Sequence, residues 1–279
     1  MKNVIILLVL LFSNIVNAAD LKLKDDSGHI LRLKKTPDKV VVLSPEINEI
    51  IFALGKGDKI IANTEYCNYP PASEKILKAG SFSNPDLEKI IKLSPDIIFL
   101  TKGVQTDVMN KLQELNYPYF VFYITSVKQL YEAVKKISII LNAVKQGKHL
   151  ISHMKQELRT LKTIKKKAVI LPVIWHQPVM VAGGNTIVND VIKLAGGINP
   201  IEHLKDGYFT VSDEYLIAHP VDYILLCGHN LNLNNNKIFR LMKNNKKYNT
   251  IKIDPDWILR ATPRTIKAVL YLNKILSDK

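Results

Sequence analysis

Short β-branched runs alternate with segments of helical period along both halves of the chain, and this alternation constrains the fold more than any other sequence feature. In the first half, strands are predicted at 39–43, 59–62, 96–100 and 119–123, with helices at 45–54, 85–93, 107–115 and from 127 onward. In the second half, further strands and helices are predicted at 168–174, 186–194, 213–218, 222–226, 237–242, 250–253 and 262–276. Such alternation is typical of α/β folds with mainly parallel sheets rather than of sandwiches or helical bundles.

The middle of the chain has a long helical period with one interruption. Apolar residues recur every three or four positions over 127–144, and the same period restarts over 150–161. Gly147 lies between the two runs, so we predict a separate helix after it. With 279 residues, 47% of them hydrophobic, the chain can supply a core for each of two lobes. We therefore predict two α/β lobes, at 19–142 and 165–279, joined by one long connecting helix at 143–164.

An internal repeat supports this division into two lobes. Glu88 lies eight residues before Asp96 in a Leu-Glu…Pro-Asp pattern, and Glu214 lies eight before Asp222 in a similar one. A weaker echo pairs the tetrapeptides at 48–51 and 189–192. Two copies at such a spacing indicate duplicated lobes rather than a solenoid. Glu88 and Glu214 are then equivalent positions, and their ordinary interpretation is a solvated carboxylate near a helix start.

The first 18 residues have the pattern of a signal peptide. Lys2 provides a positive start, 4–12 form an unbroken apolar run, and Val-Asn-Ala at 16–18 is a small-residue cleavage site. A membrane anchor is the competing interpretation, but the run is shorter than the roughly 20 residues needed to span a bilayer. We expect an exported protein that is soluble in the periplasm after cleavage.

Charge and cysteine content narrow the possible partners. The 39 basic and 25 acidic residues give a net charge of +14, which suits anionic surfaces or ligands. The lysine clusters at 165–167 and 243–247 lack interleaved aromatics, so we interpret them as solvated faces and expect no nucleic acid partner. Cys67 and Cys227 can form a disulfide only if their Cα atoms lie within about 7 Å across two lobes. Two unpaired thiols are our preferred interpretation.

Histidine spacing gives no reason to expect a metal site. His149 and His153 are four apart and share a helical face, but a stable site needs three or four ligands. A solvated helix face is the simpler interpretation. His176 follows Trp175 after a predicted strand, and it either approaches the metal of a bound chelate or is an ordinary loop histidine.

Four segments resemble the helical-backbone periplasmic binding proteins of metal-chelate ABC importers, and among them the cobalamin-binding members. They are the segments at 41–46, 66–71, 85–88 with 95–96, and 256–264, and the resemblance runs from about 39 to 276. It implies two rigid lobes, a single helical connector, a monomer, and a shallow cleft between the lobes that holds one flat chelate.

The same resemblance places Tyr66, Phe82, Tyr208, Asp256 and Arg260 in that cleft. Phe82 and Tyr208 stand where the cobalamin-binding members carry tryptophans, and Thr101 where they carry a third. A flat chelate needs amphipathic aromatic surfaces and a few fixed hydrogen-bonding groups, which this set can provide. Trp175 is a further candidate, with packing as its alternative role. Arg260 has an alternative role as a partner of Asp256 that closes its own turn.

The predicted function is therefore capture of a metal chelate, with cobalamin favoured, and its delivery to an ABC permease in the inner membrane. The resemblance implies that Glu88 and Glu214 face arginines on two permease subunits. Haem, with Tyr66 or Tyr69 as iron ligand, and a ferric siderophore held by Arg260 and lysines are the alternative ligands. An exported enzyme or adhesin is the alternative of another class. The sequence lacks the Gly-x-Ser-x-Gly and His-Glu-x-x-His motifs, so we expect neither enzyme activity nor a resident cofactor.

Overall fold

The computed structural model describes residues 21–231, 233, 236–245 and 248–278, without the side chains of 243–245. The predicted signal peptide at 1–18 and the side chains of the 243–247 lysine cluster lie outside the described residues. No helix in the described ranges is both long and apolar enough to cross a membrane.

The first half of the chain forms a lobe around a parallel sheet. Its elements are β1 (Leu21–Lys24), β2 (Ile30–Leu33), β3 (Val40–Val42), α1 (Pro45–Ala53), β4 (Ile60–Asn63), α2 (Leu87–Lys92), β5 (Ile97–Thr101), α3 (Thr106–Glu114), β6 (Tyr119–Phe122) and α4 (Val127–Ile140). Strands β4, β3, β5 and β6 lie side by side in that order, and all their pairings are parallel. Strands β1 and β2 form a separate antiparallel hairpin.

The second half forms a lobe around a mixed sheet, preceded by the helix that carries the chain across. Its elements are α5 (Val144–Leu158), β7 (Ile170–His176), β8 (Val179–Ala182), α6 (Ile187–Leu194), β9 (Tyr208–Thr210), α7 (Asp213–Ala218), β10 (Tyr223–Leu226), α8 (Lys237–Asn245), β11 (Asn249–Lys252), α9 (Pro255–Ile258) and α10 (Thr265–Ser277). The sheet order is β11-β10-β7-β8-β9, with parallel pairing up to β7 and antiparallel pairing beyond it. The α/β class with mainly parallel sheets is confirmed.

The sequence did not indicate three antiparallel features. The hairpin of β1 and β2 and the strands β8 and β9 are short, and the prediction for β7 stopped two residues early at 174. These segments lack the buried β-branched runs that marked the other short strands, so tertiary pairing decides their conformation.

The two lobes share one hydrophobic core, which corrects the expectation of a separate core in each. One continuous buried cluster includes Ile47 of α1, Leu130 of α4, Ile187 of α6 and Leu272 of α10. Each sheet also covers a smaller cluster on its other face. Along β3 the side chains alternate accordingly, with Val41 facing the smaller cluster and its neighbours facing the shared one. Because packed interiors resist deformation, this arrangement stiffens the junction between the lobes.

The predicted helix break at Gly147 is wrong. The break between α4 and α5 falls earlier, where Asn142 adopts a left-handed φ of 50°, a conformation that asparagine tolerates better than most residues. Gly147 lies inside α5, and a Cβ there would lie 2.6 Å from the Cβ and Oγ of Ser138 on α4. The glycine therefore permits the close approach of two helices rather than ending one.

The internal repeat has a structural role at the amino-terminal ends of the strands. Asp96, just before β5, accepts hydrogen bonds on Oδ2 from the backbone N–H groups of Asp38 at 2.8 Å and Lys39 at 2.9 Å, just before β3. Asp222, just before β10, accepts one from Val169 N–H at 2.9 Å, just before β7. Each lobe thus joins two neighbouring strands at their starts through an equivalent aspartate.

The turn of the β1–β2 hairpin attaches to the edge strand β6. Asp25 Oδ2 accepts from Val121 N–H at 3.0 Å, and Asp26 Oδ2 accepts from Tyr123 N–H at 2.9 Å. Lys136 on α4 forms an ion pair with Asp26 at 2.5 Å. These carboxylates satisfy backbone donors that an edge strand leaves unpaired, and they fix the backbone of Tyr123 at the end of β6.

Candidate functional site

The carboxyl ends of the strands in the two lobes approach each other. Thr125, shortly after β6, donates through Oγ1 to Asn185 Oδ1, shortly after β8, at 2.8 Å. On another side of the junction, Arg260 Nη1 donates to Asn68 Oδ1 at 2.7 Å. Ligands of α/β proteins bind at this end of parallel strands, so the region between the lobes is the candidate site.

Tyr208 lies at the start of β9 and faces the other lobe. The residue is 46% exposed, yet burial is the largest cause that raises the pKa of its hydroxyl, and Cys227, Glu46 and Tyr123 raise this pKa further. The ring itself is therefore accessible while protein surrounds the hydroxyl environment on its other side. Because Glu46 and Tyr123 belong to the amino-terminal lobe, Tyr208 lies where the two lobes face each other.

Three other aromatic residues follow strand ends around this region. Tyr66, after β4, is 58% exposed, and Trp175, near the end of β7, is 47% exposed. Trp175 donates through Nε1 to Gln177 O at 2.9 Å, so its ring is oriented but not covered, and core packing does not describe it. Tyr123, which the sequence-based site prediction missed, is exposed at the end of β6, with Lys102 Nζ 5.7 Å from its ring centroid.

Phe82 is half-buried, and its backbone carbonyl accepts a hydrogen bond from the side-chain amide of Gln105. Gln105 is fully buried, and its Nε2 donates to Phe82 O and to Leu43 O, both at 2.8 Å. Its Oε1 accepts from Thr101 N–H at 3.0 Å. One side chain thus links the Phe82 loop to the ends of β3 and β5.

Asp256 and Arg260 form an ion pair within their own turn, which was the alternative role predicted for Arg260. Arg260 also contacts the other lobe. Arg260 Nη2 lies 3.2 Å from Asp256 Oδ1, while its Nη1 makes the bond to Asn68. His229 Nε2 lies 3.7 Å from the same oxygen of Asp256. The predicted polar groups are therefore fixed by partners from both lobes, and their contact with a ligand stays a prediction.

Glu49 of α1 completes this network, and the sequence-based site prediction missed it. Its side chain is 3% exposed, and it accepts from Arg264 Nε at 2.7 Å on Oε2 and from Arg264 Nη2 at 2.5 Å on Oε1. Burial is the largest cause acting on Glu49 and raises the pKa of its carboxyl, while the two arginines oppose this. Glu49 lies off the predicted apolar face at 47, 50, 51 and 54, so nothing in the sequence indicated its burial.

Glu88 and Glu214 occupy equivalent places in the two lobes. Each is the second residue of a six-residue helix, α2 or α7, and each is exposed. Asp86 caps α2 by accepting on Oδ1 from Lys89 N–H at 2.9 Å, and Ser212 caps α7 by accepting on Oγ from Tyr215 N–H at 3.2 Å. Both helices precede a parallel strand, so their first turns lie at the carboxyl ends of the strands, on the side of the candidate site. Their role in docking stays a prediction.

The cysteines follow the simpler interpretation, whereas His176 ends β7 instead of lying in a loop and its role stays a prediction. Cys67 and Cys227 are buried, unpaired thiols, and burial raises the pKa of both. His153 Nδ1 lies 3.2 Å from Glu157 Oε2, so one carboxylate accompanies this histidine face. Even so, no group of three His, Cys, Asp or Glu residues in the described ranges has the arrangement to hold a metal ion. His176 is half-buried beside Trp175.

Two α/β lobes around a shared helical core, with exposed aromatic rings where their strand ends meet, define a two-lobed binding protein. The comparisons with known proteins agree. The family described as periplasmic binding protein matches residues 40–266, and the chain belongs to this family. The family resemblance inferred from the motifs is confirmed.

Individual relatives differ in their ligands. Vitamin B12-binding proteins of Yersinia pestis (strain Pestoides F) and Yersinia pseudotuberculosis serotype O:1b are each 26% identical over 240 residues, which cover 84% of this chain and 85% of theirs. The periplasmic heme-binding protein RhuT from Roseiflexus sp. RS-1 has a TM-score of 0.74 and 22% identity, over 86% of this chain and 98% of that one. The periplasmic vitamin B12 binding protein BtuF of Vibrio cholerae has a TM-score of 0.73 and 20% identity, over 88% and 99%. At such identities the structures establish the fold, which is the predicted one.

Proposed function

We propose that this protein captures a metal chelate, preferentially cobalamin, in the periplasm and delivers it to an ABC permease in the inner membrane. The observation that carries the proposal is that both lobes expose aromatic rings at or after their strand ends, above all Tyr66, Trp175 and Tyr208. We propose that these rings line one cleft. The vitamin B12-binding relatives match 84% of the chain, which favours cobalamin among the chelates.

A flat macrocycle suits these side chains. Aromatic rings offer apolar faces for the macrocycle, while tyrosine hydroxyls can bond to polar groups at its rim. Arg260 already bonds to Asp256 and Asn68, so its charge is largely balanced. A rim of neutral amides, as in cobalamin, can bond to such a balanced pair without needing an unpaired cation.

Haem is the second candidate, because Tyr66, which we place at the cleft, is exposed and its phenol can bind ferric iron. Titration with cyanocobalamin and with haemin, followed by visible spectroscopy and by quenching of the protein's two tryptophans, separates the two. Micromolar or tighter binding of cyanocobalamin with weaker binding of haemin supports the proposal. The reverse order makes haem the ligand, and binding of neither contradicts chelate capture of both kinds.

The aromatic contacts can be tested one at a time. Tyr208→Ala should weaken cyanocobalamin binding by roughly 5- to 150-fold, because a buried aromatic contact is worth about 1–3 kcal/mol. Tyr271→Ala is the matched control, since Tyr271 is an exposed tyrosine on α10 outside the aromatic set. Unchanged affinity in calorimetry for Tyr66→Ala, Phe82→Ala and Tyr208→Ala would reject this site.

Docking to the permease is proposed for Glu88 and Glu214. On a protein of net charge +14, local carboxylates are needed to orient the molecule on a basic receptor surface. Charge reversal of both, Glu88→Lys with Glu214→Lys, should abolish uptake while leaving ligand affinity and melting temperature nearly unchanged. The double variant Glu114→Lys with Glu132→Lys makes the same charge change at exposed positions away from α2 and α7. Normal uptake by the first pair would rule out the docking role.

A further inference from the structure

Glu49 joins the two lobes through two arginines of one segment. Arg264, at the start of α10, binds both carboxylate oxygens of Glu49, and Arg260 Nη1 lies 3.6 Å from Oε1. All three side chains are at most 13% exposed. Charge-assisted bidentate pairs are among the strongest and most directional hydrogen bonds in proteins, so this contact fixes α1 relative to the start of α10.

The two arginines are held differently. Arg264 has its strongest contact with Glu49, and its guanidinium also lies 4.0 Å from the centroid of the Tyr69 ring and 3.9 Å from Asp256 Oδ2. Arg260 is shared, because its remaining contacts go to Asp256 at 3.2 Å in its own lobe and to Asn68 at 2.7 Å in the other. Arg264 therefore anchors the segment, and Arg260 projects from the anchored segment toward the predicted chelate contacts.

We propose that Glu49 is a positioning residue, which through Arg264 and Arg260 fixes the angle between the lobes and the orientation of the Arg260 guanidinium at the cleft. The part that concerns Arg260 rests on the proposed function. The part that concerns the lobe angle does not, because it follows from the contacts between α1 and α10 alone.

A purely stabilising role is the competing explanation, and the chain contains a matched acid to test it. Asp190 of α6 is half-buried, and burial raises the pKa of its carboxyl. It also reaches the other lobe, where its Oδ2 accepts from Val127 N–H at 2.7 Å. This contact uses a backbone group and involves neither arginine. Asp190→Asn therefore perturbs the lobe junction without touching the arginine segment.

The lobe angle is tested by spin-label distances. Asn110→Cys on α3 and Asp213→Cys on α7 place one exposed label on each lobe, while the native thiols are buried and unlabelled. We expect one narrow distance distribution in the parent and in Asp190→Asn, and a distribution at least twice as broad in Glu49→Gln. If Glu49→Gln does not fold, Arg264→Lys carries the test, because it keeps the charge and loses the bidentate geometry. A narrow distribution in the informative variant, or equal broadening in Asp190→Asn, would overturn the proposal.

The effect on Arg260 is tested with cyanocobalamin and haemin as probes in stopped-flow binding. Glu49→Gln should raise the dissociation rate at least tenfold for the probe that the parent binds, with Asp190→Asn within twofold of the parent. Equal rates in the parent and Glu49→Gln would reject the positioning of Arg260. If the parent binds neither probe, the proposed function fails together with this part, and the distance measurement still decides whether Glu49 sets the lobe angle.

Discussion

Helices α1 and α6 are equivalent elements of the two lobes, and each carries an Asn-acid pair at the same place. Asn48 Oδ1 accepts from Asn63 Nδ2 at 3.1 Å, and Asn189 Oδ1 accepts from Asn199 Nδ2 at 3.1 Å. The weak echo between the tetrapeptides at 48–51 and 189–192 therefore marks a shared structural role. The asparagine ties its helix to the end of β4 in one lobe and to the loop after α6 in the other.

The acid that follows each asparagine reaches the opposite lobe, and there the copies differ. Each acid contacts the start of a helix in the other lobe, and in both cases that helix follows the last strand of its sheet. Glu49 contacts the start of α10, and Asp190 contacts the start of α4. Glu49 meets two arginine side chains, whereas Asp190 meets the first backbone N–H of α4. The duplication preserved the position of the carboxylates, while the partner supplied by the opposite lobe decides how strongly each is bound.

The largest effect expected from this difference is on stability. Glu49→Gln should lower the free energy of unfolding by about 3–5 kcal/mol, because removing one partner of a buried ion pair leaves the other charge uncompensated. Asp190→Asn should stay within about 1 kcal/mol of the parent, because its side-chain oxygen still accepts from the Val127 N–H and no buried charge remains. Urea unfolding monitored by circular dichroism measures both. Equal losses would show that the arginines do not distinguish the two junctions.

Because the two lobes share one core, a substitution that destabilises the amino-terminal lobe should also destabilise the carboxyl-terminal lobe. Gly147→Ala should cost about 1–3 kcal/mol, because its Cβ would overlap Ser138 in the close contact of α4 and α5. Trp175 and Trp257 both belong to the carboxyl-terminal lobe, so their fluorescence reports on that lobe.

We expect the fluorescence and circular dichroism midpoints of Gly147→Ala to shift together. Gln146→Ala, at the exposed neighbouring position of α5, is the control and should change neither. A shift in circular dichroism alone would mean that the lobes unfold independently.

A smaller effect on the free energy of unfolding, which depends on pH, is expected from the aspartates at the strand starts. Hydrogen bonds from Lys39 and Asp38 N–H groups outweigh burial and lower the pKa of Asp96 from its ordinary value of 3.8. This carboxylate therefore stabilises the fold above pH 3.8, and the stabilisation is lost as the pH falls through the lower pKa of the folded state. At pH 7, Asp96→Asn should cost about 1 kcal/mol, since the side chain is partly exposed.

The difference between the parent and Asp96→Asn should shrink when unfolding is measured at progressively lower pH, down to about pH 3. Asp222→Asn is the counterpart in the other lobe and should also destabilise. A constant difference for Asp96→Asn from pH 7 to pH 3 would contradict the assignment of the bonds to the ionised form.

The smallest expected effect is the change of shape on ligand binding. A shared core and a helical connector should limit lobe closure to a few degrees. Small-angle scattering of the protein with and without cyanocobalamin should therefore give nearly the same radius of gyration. A large decrease in the radius of gyration would mean that the lobes close by rearranging the shared core, which would contradict this prediction.

Local pattern was enough to predict the α/β class, most helices and the equivalence of Glu88 with Glu214. Strand alternation and helical period depend on neighbours within a few residues, so they can be seen in the sequence. The motif at 256–264 likewise pointed to Arg260 before any contact was known.

Tertiary structure alone decided the contacts that span the lobes. Glu49 and Arg264 are 215 residues apart, and no local period predicts that a buried carboxylate will meet a distant guanidinium. The wrong prediction of a helix break at Gly147 has the same cause. A glycine that ends a helix and a glycine that lets two helices approach closely look the same in the sequence. What the chain determines by itself is the set of elements; what the fold adds is which side chains the packing of those elements brings together, since long-range contacts depend on the whole arrangement.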